Sequence, residues 1–275
     1  MKIAGFIIVV VCGGLLLLAT QDFPAWGDPN SPASTHLSPH YITKALHETG
    51  APNLVTAVLA DYRGYDTMFE TTVIFAAGLA CLLLLRTFVQ RTRGREYRHI
   101  PTGVILHIQD PNKAPKRGPE FELIDNIWIP HDLIIKTVCR ILIPFIQIFG
   151  LYVVAHGDFS PGGGFQGGVI FGASLILLAL SFDLRTALEW VPERVLGMLS
   201  ALGVVLYSGI GIMCILLSGN FLDYSRLSAI LPVDPAHVRA IGMLGVEIGV
   251  GFSVMAVMVA LYVNLASEGR HNQGL

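Results

Sequence analysis

The sequence predicts an all-α integral membrane protein with about six transmembrane helices. Hydrophobic residues make up 53% of its 275 residues and charged residues only 14%, whereas about a quarter of an ordinary soluble domain is charged. Apolar runs of about 18 residues or more, the length that spans a bilayer, recur along the chain. Basic residues concentrate in some of the segments between these runs, which orients the spans. These three observations favour a polytopic membrane protein.

Composition also argues against several classes of function. The net charge of −2 provides no basic field for nucleic acid. The four cysteines lie singly in or at the ends of four different apolar runs, which supports neither a zinc nor an iron–sulfur site: Cys12, Cys81, Cys139 and Cys214. The sequence shows no nucleophile–base pair and no nucleotide loop. We therefore predict no independent enzyme activity, no cofactor and no bound metal.

The first apolar run, Ile3–Ala19, predicts a retained transmembrane helix. It is longer than the apolar region of a secretory signal peptide, and a poor cleavage site follows it. The next stretch, residues 21–51, is polar and contains four prolines that disfavour a long helix. We predict an external loop there. Its three histidines match no standard metal site by their spacing.

Residues 52–62 predict a short helix, and Met68–Phe88 predicts the second span. The stretch 90–132 is the most basic in the chain, and the positive-inside rule places it in the cytoplasm. Its four prolines predict an irregular linker between two modules.

Four further spans follow the linker: Leu133–Ala155, Gly164–Phe182, Val195–Ser218 and Arg239–Ala266. Pro144 should kink the first of them, because proline removes a helix hydrogen bond. The loop 183–194 contains two arginines and is predicted to be cytoplasmic, whereas 219–237 is predicted to be external. Six spans with both termini in the cytoplasm satisfy the charge rule at every loop. We expect a multi-pass protein of the cell inner (plasma) membrane.

A glycine-rich stretch, HGDFSPGGGFQGG at His156–Gly168, joins the third and fourth spans. A phosphate-binding loop would need lysine and then serine or threonine after the last glycine, and Val169 follows instead. Ser160 and Pro161 predict the N-cap and first position of the next helix. That helix has three glycines at four-residue spacing on one face, which allows a second helix to pack closely: Gly164, Gly168 and Gly172.

Glu247 is the one acid well inside an apolar run, midway through the sixth span in GMLGVEIGVGF. A charge in a membrane helix costs about 3 kcal/mol or more near the centre, so it indicates a functional site. The alternative is a structural hydrogen bond between helices. His156 is a candidate partner because imidazole titrates near neutral pH. The alternative for His156 and Asp158 is a helix terminus among the lipid headgroups.

Asp66 and Glu70 are four residues apart, which places both carboxylates on one face of a helix. Two acids so close raise the pKa of one of them and can pass a proton or hold a sodium ion. The alternative is that Asp66 caps the helix while Glu70 lies in its first turn.

Two motifs carry a family resemblance. HGDFSPGGGFQGGVI resembles the signature of the MnhB family of multisubunit sodium/proton antiporters (the Mrp or Mnh systems), over roughly residues 133–265. DYRGYDTMFE resembles the closing part of MnhA, the large subunit of the same antiporters, in which the acids matching Asp66 and Glu70 are thought to serve ion transfer. Tyr62 and Tyr65 stand where MnhA has Phe. The long helical core of MnhA has no counterpart in this chain.

The resemblance divides the chain into three parts. Residues 1–90 form a two-helix membrane module similar to the end of MnhA, residues 91–132 a cytoplasmic linker, and residues 133–275 a four-helix MnhB-like membrane domain. We expect a membrane subunit of a multisubunit cation (Na+)/proton antiporter, which contributes to the ion path and to assembly. Its partners would be other membrane subunits, Na+ and H+ as transported ions, and the lipid bilayer, with no nucleic acid.

Two alternatives remain open from the sequence. The chain could serve a redox-driven ion-pumping complex of the hydrogenase-like or respiratory kind, with its redox centres in other subunits. It could also be a purely structural scaffold. The scaffold alternative predicts that Asp66, Glu70 and Glu247 tolerate neutral replacement, whereas bulky residues in the glycine face disrupt assembly.

Overall fold

The computed structural model describes residues 2–88, 95–108, 120–124 and 133–267. Within them, six helices are long and apolar enough to cross a membrane, which confirms the predicted fold class. These six are Ile3–Asp22, Gly64–Leu85, Leu133–Ala155, Gly164–Ser181, Glu193–Leu216 and Pro235–Ala266. The chain divides into two compact units, residues 1–45 and 46–275.

The first unit begins with helix α1, Lys2–Ala19, whose apolar side chains are largely exposed. Such a helix suits a lipid environment, in which apolar side chains need no protein partner. The predicted loop after it is wrong in part, because the structure has a π-helical segment, Ala33–Leu37, that continues into α2, Ser38–Thr49.

The second unit contains the short helix that residues 52–62 predict. It starts as α3, Leu54–Thr56, and continues as a π-helical segment, Ala57–Tyr62. Asn53 caps it, since its side chain accepts a hydrogen bond from the Val55 amide. Helix α4, Gly64–Phe88, then starts four residues earlier than the span that the sequence predicts.

The predicted irregular linker contains a small antiparallel sheet, which corrects the sequence prediction. Its strands β1 (Arg95–His99), β2 (Ile105–Ile108) and β3 (Phe121–Ile124) are ordered β2-β1-β3. The prolines did not exclude strands, because Pro101 lies in the turn between β1 and β2. The rest of the linker and five of its basic residues lie outside the described residues: Arg91, Arg93, Lys113, Lys116 and Arg117.

The MnhB-like part contains four long helices and one short one: α5 (Leu133–Ala155), α6 (Gly164–Ser181), α7 (Leu184–Trp190), α8 (Glu193–Leu216) and α9 (Pro235–Ala266). The sequence predicts a loop where α7 lies, and Asp183 caps this helix by accepting a hydrogen bond from the Thr186 amide at 2.5 Å. Helix α6 starts at Gly164, as the predicted span does, but the predicted N-cap is wrong. Gly163, with a φ of 115°, is the N-cap, so Ser160 and Pro161 belong to the preceding turn.

Helix α9 forms the centre of the second unit and packs against α4, α6 and α8. Its side chains are mostly small, and more of it is buried than of the other spans in the described chain. An apolar cluster of buried residues around it joins α6, α8 and α9. A central helix of small residues lets the neighbouring helices approach closely, and this packing positions the candidate site.

Candidate functional site

Glu247 of α9 has a buried side chain, 8% exposed, that lies against the turn between α5 and α6. A Cβ atom at Gly157 would stand 2.8 Å from Oε2 of Glu247, and one at Gly163 would stand 2.9 Å from Oε1. Any larger residue at either glycine would therefore clash with the carboxylate. Its Oε2 has no hydrogen-bond partner among the described residues.

Glu247 lies level with the ends of two neighbouring helices. Helix α9 has 32 residues and is about 48 Å long, whereas the hydrocarbon core is about 30 Å thick. The backbone of Glu247 packs against Gly164, the first residue of α6. Its carboxylate is therefore level with the beginning of α6 and the end of α5, although it lies near the middle of α9 in sequence.

The glycines Gly164, Gly168 and Gly172 of α6 face α9. A Cβ at Gly168 would lie 2.7 Å from the carbonyl oxygen of Gly251, and one at Gly172 would lie 3.4 Å from that of Met255. The two backbones approach so closely at Gly168 that a larger side chain would require one helix to move.

Asp158 is the predicted site residue that the structure brings to Glu247, since the two carboxylates interact electrostatically. Burial raises the pKa of Asp158 above its ordinary value, and its Oδ1 has no hydrogen-bond partner in the described structure. The His156 ring instead stacks on Tyr152 and Phe159, with centroids 4.9 Å and 5.5 Å away. The contacts described for the His156 ring are thus aromatic ones.

Asn53 holds this turn from the other part of the chain. Its Nδ2 donates hydrogen bonds to the carbonyl oxygens of Gly157 at 2.8 Å and Ser160 at 2.9 Å. Its amide donates to the Asp158 carbonyl at 2.9 Å, and the Thr56 hydroxyl donates to Gly157 at 2.8 Å. The sequence does not reveal this role, because an Asn before a helix predicts only a cap.

Asp66 and Glu70 lie in the first two turns of α4, and both are exposed. Asp66 pairs with Arg63 and does not cap the helix, which begins at Gly64. Among the contacts described for these two carboxylates, none reaches Glu247. The structure therefore separates two acidic sites, one on the surface of α4 and one buried on α9.

The structure also contains a partly buried charged cluster of Asp61, Asp223 and Arg239, which the sequence does not predict. The Asp61 side chain is 6% exposed, and its Oδ2 lies 3.4 Å from Nε of Arg239. The same guanidinium lies 3.7 Å from Oδ1 of Asp223. Each of the three residues flanks an apolar segment in sequence, where an interfacial position is the ordinary expectation. No feature of the local sequence predicts that these three residues lie close together.

Electrostatics distinguish the two carboxylates of this cluster. Burial raises the pKa of Asp61 to about 6, and the opposing charge of Arg239 only partly offsets it. Burial also acts on Asp223, but a hydrogen bond from Ser225 and the charge of Arg239 outweigh it, so the pKa of Asp223 is lowered. Near neutral pH, Asp61 is therefore the carboxyl that exchanges a proton more readily.

Three hydroxyl groups surround the junction between the π-helical segment and α4. Tyr224 donates to the carbonyl oxygen of Ala60 at 3.0 Å, Tyr207 to that of Gly64 at 2.8 Å and Thr67 to that of Leu59 at 2.8 Å. Buried carbonyl groups at such a break need partners, because little water is present to replace them. The hydroxyls stabilise a discontinuous helix beside the buried charges.

This arrangement can hold and exchange protons on buried carboxylates. It can also hold a monovalent cation through carboxylate and carbonyl oxygens. In the part of the chain that the structure describes, no three metal-ligating side chains group together. Proton or cation binding at single carboxylates is the chemistry that these residues can supply.

Fold and site together define a polytopic membrane protein with a buried glutamate. Residues 134–260 match the family described as "Domain related to MnhB subunit of Na+/H+ antiporter". A Staphylococcus aureus (strain Newman) protein, named as antiporter subunit mnhB2, is 33% identical over 141 residues, covering 51% of this chain and 97% of that protein. The protein of strain NCTC 8325 with the same name gives the same values. The chain belongs to this family of MnhB-related antiporter subunits.

Residues 4–96 match a second family, MbhE, which is described as a subunit of MBH. This match agrees with the resemblance of the N-terminal part to the end of MnhA.

Two solved structures share the fold. The Mrp complex from a Dietzia species aligns with a TM-score of 0.57 and 23% identity, over 99% of this chain and 26% of that chain. This chain thus spans about a quarter of the Dietzia chain it matches. A chain of the membrane-bound sulfane sulfur reductase, an archaeal respiratory membrane complex, aligns with a TM-score of 0.57 and 22% identity, over 96% of this chain and 97% of that chain.

Proposed function

We propose that this chain is a membrane subunit of a multisubunit cation (Na+)/proton antiporter, in which it contributes to the ion path and to assembly. The observation that carries the proposal is the buried carboxylate of Glu247, packed against two glycines of the turn between α5 and α6. Family membership supplies the class of complex. Other membrane subunits, Na+, H+ and the lipid bilayer are the proposed partners.

The physical reason for a role in ion transfer is the cost of an uncompensated buried charge. A carboxylate in a membrane protein costs several kcal/mol unless a proton, a cation or hydrogen bonds neutralise it. Glu247 Oε2 has no hydrogen-bond partner among the described residues, and the neighbouring Asp158 is a second acid. Binding of a proton or a cation at Glu247 would remove this cost, and release would restore it.

The exposed pair Asp66 and Glu70 is proposed to face another subunit. A chain that supplies the antiporter-like core could place its own groups against this surface of α4. We also propose that the chain divides into three parts at residues 90 and 132. Both termini and the β1–β3 sheet would lie in the cytoplasm. The basic residues of that segment support this orientation in the plasma membrane.

A redox-driven ion-pumping complex is the second candidate. The fold shared along nearly the whole chain with a subunit of an archaeal respiratory membrane complex favours it. Under this candidate the same carboxylates would couple proton movement to electron transfer in other subunits. Purification of the native complex through a tag on this chain separates the candidates, because co-purifying redox proteins would favour the pump and antiporter-like subunits alone would favour the antiporter.

The test of the ion path is Glu247→Gln in the assembled complex, reconstituted in vesicles. We expect sodium-dependent proton exchange to fall by about tenfold or more, because the amide binds no proton and no longer supplies a charge. The matched control is Glu189→Gln on α7, an exposed glutamate, which should leave exchange unchanged. Wild-type exchange by an intact Glu247→Gln complex would refute the role of Glu247 in the ion path.

A further inference from the structure

We propose that Asp61, Arg239 and Asp223 form a second proton-exchanging site, in which Arg239 lies between the two carboxylates and Asp61 takes up and releases the proton. The inference rests on the proposed function and extends it, because the site lies apart from Asp66, Glu70 and Glu247. It assigns a role to the first acid of the DYRGYD segment, for which the sequence alone indicates none.

The geometry of the site comes from three separate elements. Asp61 lies in the π-helical segment, Asp223 precedes the 3-10 helix Tyr224–Ala229, and Arg239 lies in the second turn of α9. Nε of Arg239 is 3.4 Å from Asp61, and a terminal nitrogen is 3.7 Å from Asp223. The Arg239 side chain is 24% exposed and that of Asp61 6%. A guanidinium shared in this way places one positive charge between two acids.

Charge balance identifies the proton-binding residue. With both acids ionised, these three groups carry a net charge of −1. Arg226 also pairs with Asp223 at 3.4 Å, but its side chain is 53% exposed, and Glu48 adds a further negative charge near Asp61. Burial makes the ionised state of Asp61 costly. When Asp61 is protonated, Arg239 and Asp223 remain as a neutral ion pair. Oδ2 of Asp61 and Nε of Arg239 have no hydrogen-bond partner among the described residues, although each is buried. These two atoms of the ion pair therefore lack hydrogen bonds. Protonation of Asp61 thus breaks few existing bonds.

Apart from Arg239, the other groups around Asp61 either raise its pKa further or are uncharged. Glu48 of α2 adds a further negative charge near Asp61, and Tyr62 donates a hydrogen bond to Glu48. Tyr224 is neutral and donates to the Ala60 carbonyl. Arg239 is the cation that interacts with Asp61, and Asp223 and Glu48 are the interacting acids. The resulting pKa of Asp61, about 6, is close enough to neutral for exchange.

The site is linked to Glu247 along α9. Arg239 and Glu247 are eight residues apart, which is about 12 Å along the helix. The hydroxyl groups of Tyr224 and Tyr207 both lie near Gly64, at 3.8 Å and 3.7 Å from the position of a Cβ there. Tyr224 interacts electrostatically with Asp61, and Tyr207 with Glu247.

The test follows protonation of the carboxyl directly, by infrared titration of the C=O stretch in the purified complex. Wild type should show a protonated carboxyl that titrates near the Asp61 value, and Asp61→Asn should lose it. Asp223→Asn should move its midpoint down by about one pH unit, since it removes a neighbouring negative charge. Arg239→Gln should move the midpoint up by a similar amount, because the compensating cation is gone. Glu247→Gln should retain this band.

Arg239→Lys is the conservative variant, which keeps the positive charge if Arg239→Gln fails to assemble. Its midpoint should remain closer to wild type than that of Arg239→Gln. A band near pH 6 that persists in Asp61→Asn would overturn the assignment. Equal midpoints in wild type and in Asp223→Asn, with the complex intact, would also overturn it.

Vesicle measurements separate this inference from the proposed function. We expect Asp61→Asn to flatten the pH profile of sodium-dependent exchange around pH 6. If Glu247→Gln abolishes exchange while Asp61→Asn keeps the wild-type pH profile, this inference fails and the proposed function stands. If the wild-type complex exchanges no cation for protons but the Asp61 band is present and responds to Asp223→Asn, the proposed function fails and the proton-binding site stands.

Discussion

The environment of a single carboxyl group decides its chemistry in this protein more than its position in the sequence does. Asp61 and Asp66 are five residues apart in one motif, and Asp66 is exposed and paired with Arg63. The Asp61 side chain is buried, and its Oδ2 lies 3.4 Å from Nε of Arg239. The resemblance to MnhA implies a role for Asp66, whereas burial distinguishes Asp61. The two acids therefore require separate tests.

Stability should depend on pH through Asp61. Its pKa rises from an ordinary 3.8 to about 6 in the folded protein, so the folded state binds the proton more tightly. This contribution favours the folded state below about pH 4 and is lost as pH rises through about 6, with a maximum of about 3 kcal/mol. We expect Asp61→Asn to reduce the fall in melting temperature between about pH 4 and 7, measured on the protein in detergent.

The control for this measurement is Glu189→Gln, which removes an exposed carboxyl group and should leave the pH dependence of the melting temperature as in wild type. A slope in Asp61→Asn that equals the wild-type slope would show that other groups cause the pH dependence.

At the scale of helices, close approach of backbones determines where the elements begin and pack. Helix α6 starts at Gly164 and not at Pro161, because the Gly163 N-cap has a positive φ that suits glycine and lies against the Glu247 carboxylate. The glycine face of α6 continues through Gly168, where it packs against Gly251 of α9. Helix boundaries in this region therefore follow a tertiary contact, in addition to local capping preferences.

Gly168→Leu should separate α6 from α9. A Cβ at this position would stand 2.7 Å from the Gly251 carbonyl oxygen, and backbone cannot move as a side chain can. Overpacking of this kind costs about 1–3 kcal/mol or more. We expect loss of subunits from the complex on a native gel and a lower melting temperature.

Gly197→Leu is the matched control, because Gly197 lies on α8 with open space where a Cβ would be. It should leave the complex intact on the same gel. An intact complex with Gly168→Leu would contradict the close contact between α6 and α9.

At the scale of the whole molecule, the MnhA-like segment from residue 46 onward and the MnhB-like helices share one compact unit, residues 46–275. The segment around Asn53 bonds to the turn after α5, and the helix break at Gly64 bonds to Tyr207 and Tyr224. These contacts join parts of the chain that are more than 100 residues apart. The turn that holds Asp158 and contacts Glu247 is therefore positioned by the N-terminal part.

Asn53→Asp should release this turn. Aspartate keeps the oxygen that caps α3 but removes the two N–H donations to Gly157 and Ser160, and adds a charge against their carbonyl oxygens. Loss of such bonds costs about 1–3 kcal/mol. We expect faster amide hydrogen exchange in residues 156–163, measured by mass spectrometry.

Thr56→Ser is the control for this variant, because serine retains the hydroxyl that donates to the Gly157 carbonyl. Its exchange rates in the same residues should match wild type. Unchanged exchange in Asn53→Asp would mean that Asn53 does not hold the turn.

Sequence alone determined the six spans and the family, because membrane spans follow from local hydrophobicity and the motifs are contiguous. It also singled out Glu247, since a charge in an apolar run is visible locally. It did not predict the strands between α4 and α5, nor helices α2 and α7. Prolines or polar residues in these segments indicated loops instead of short elements. Only the tertiary structure placed Glu247 at the turn between α5 and α6, gave Asn53 its partners and joined Asp61 to Arg239. These contacts connect residues far apart in the chain, so their burial and electrostatics arise only when the helices pack.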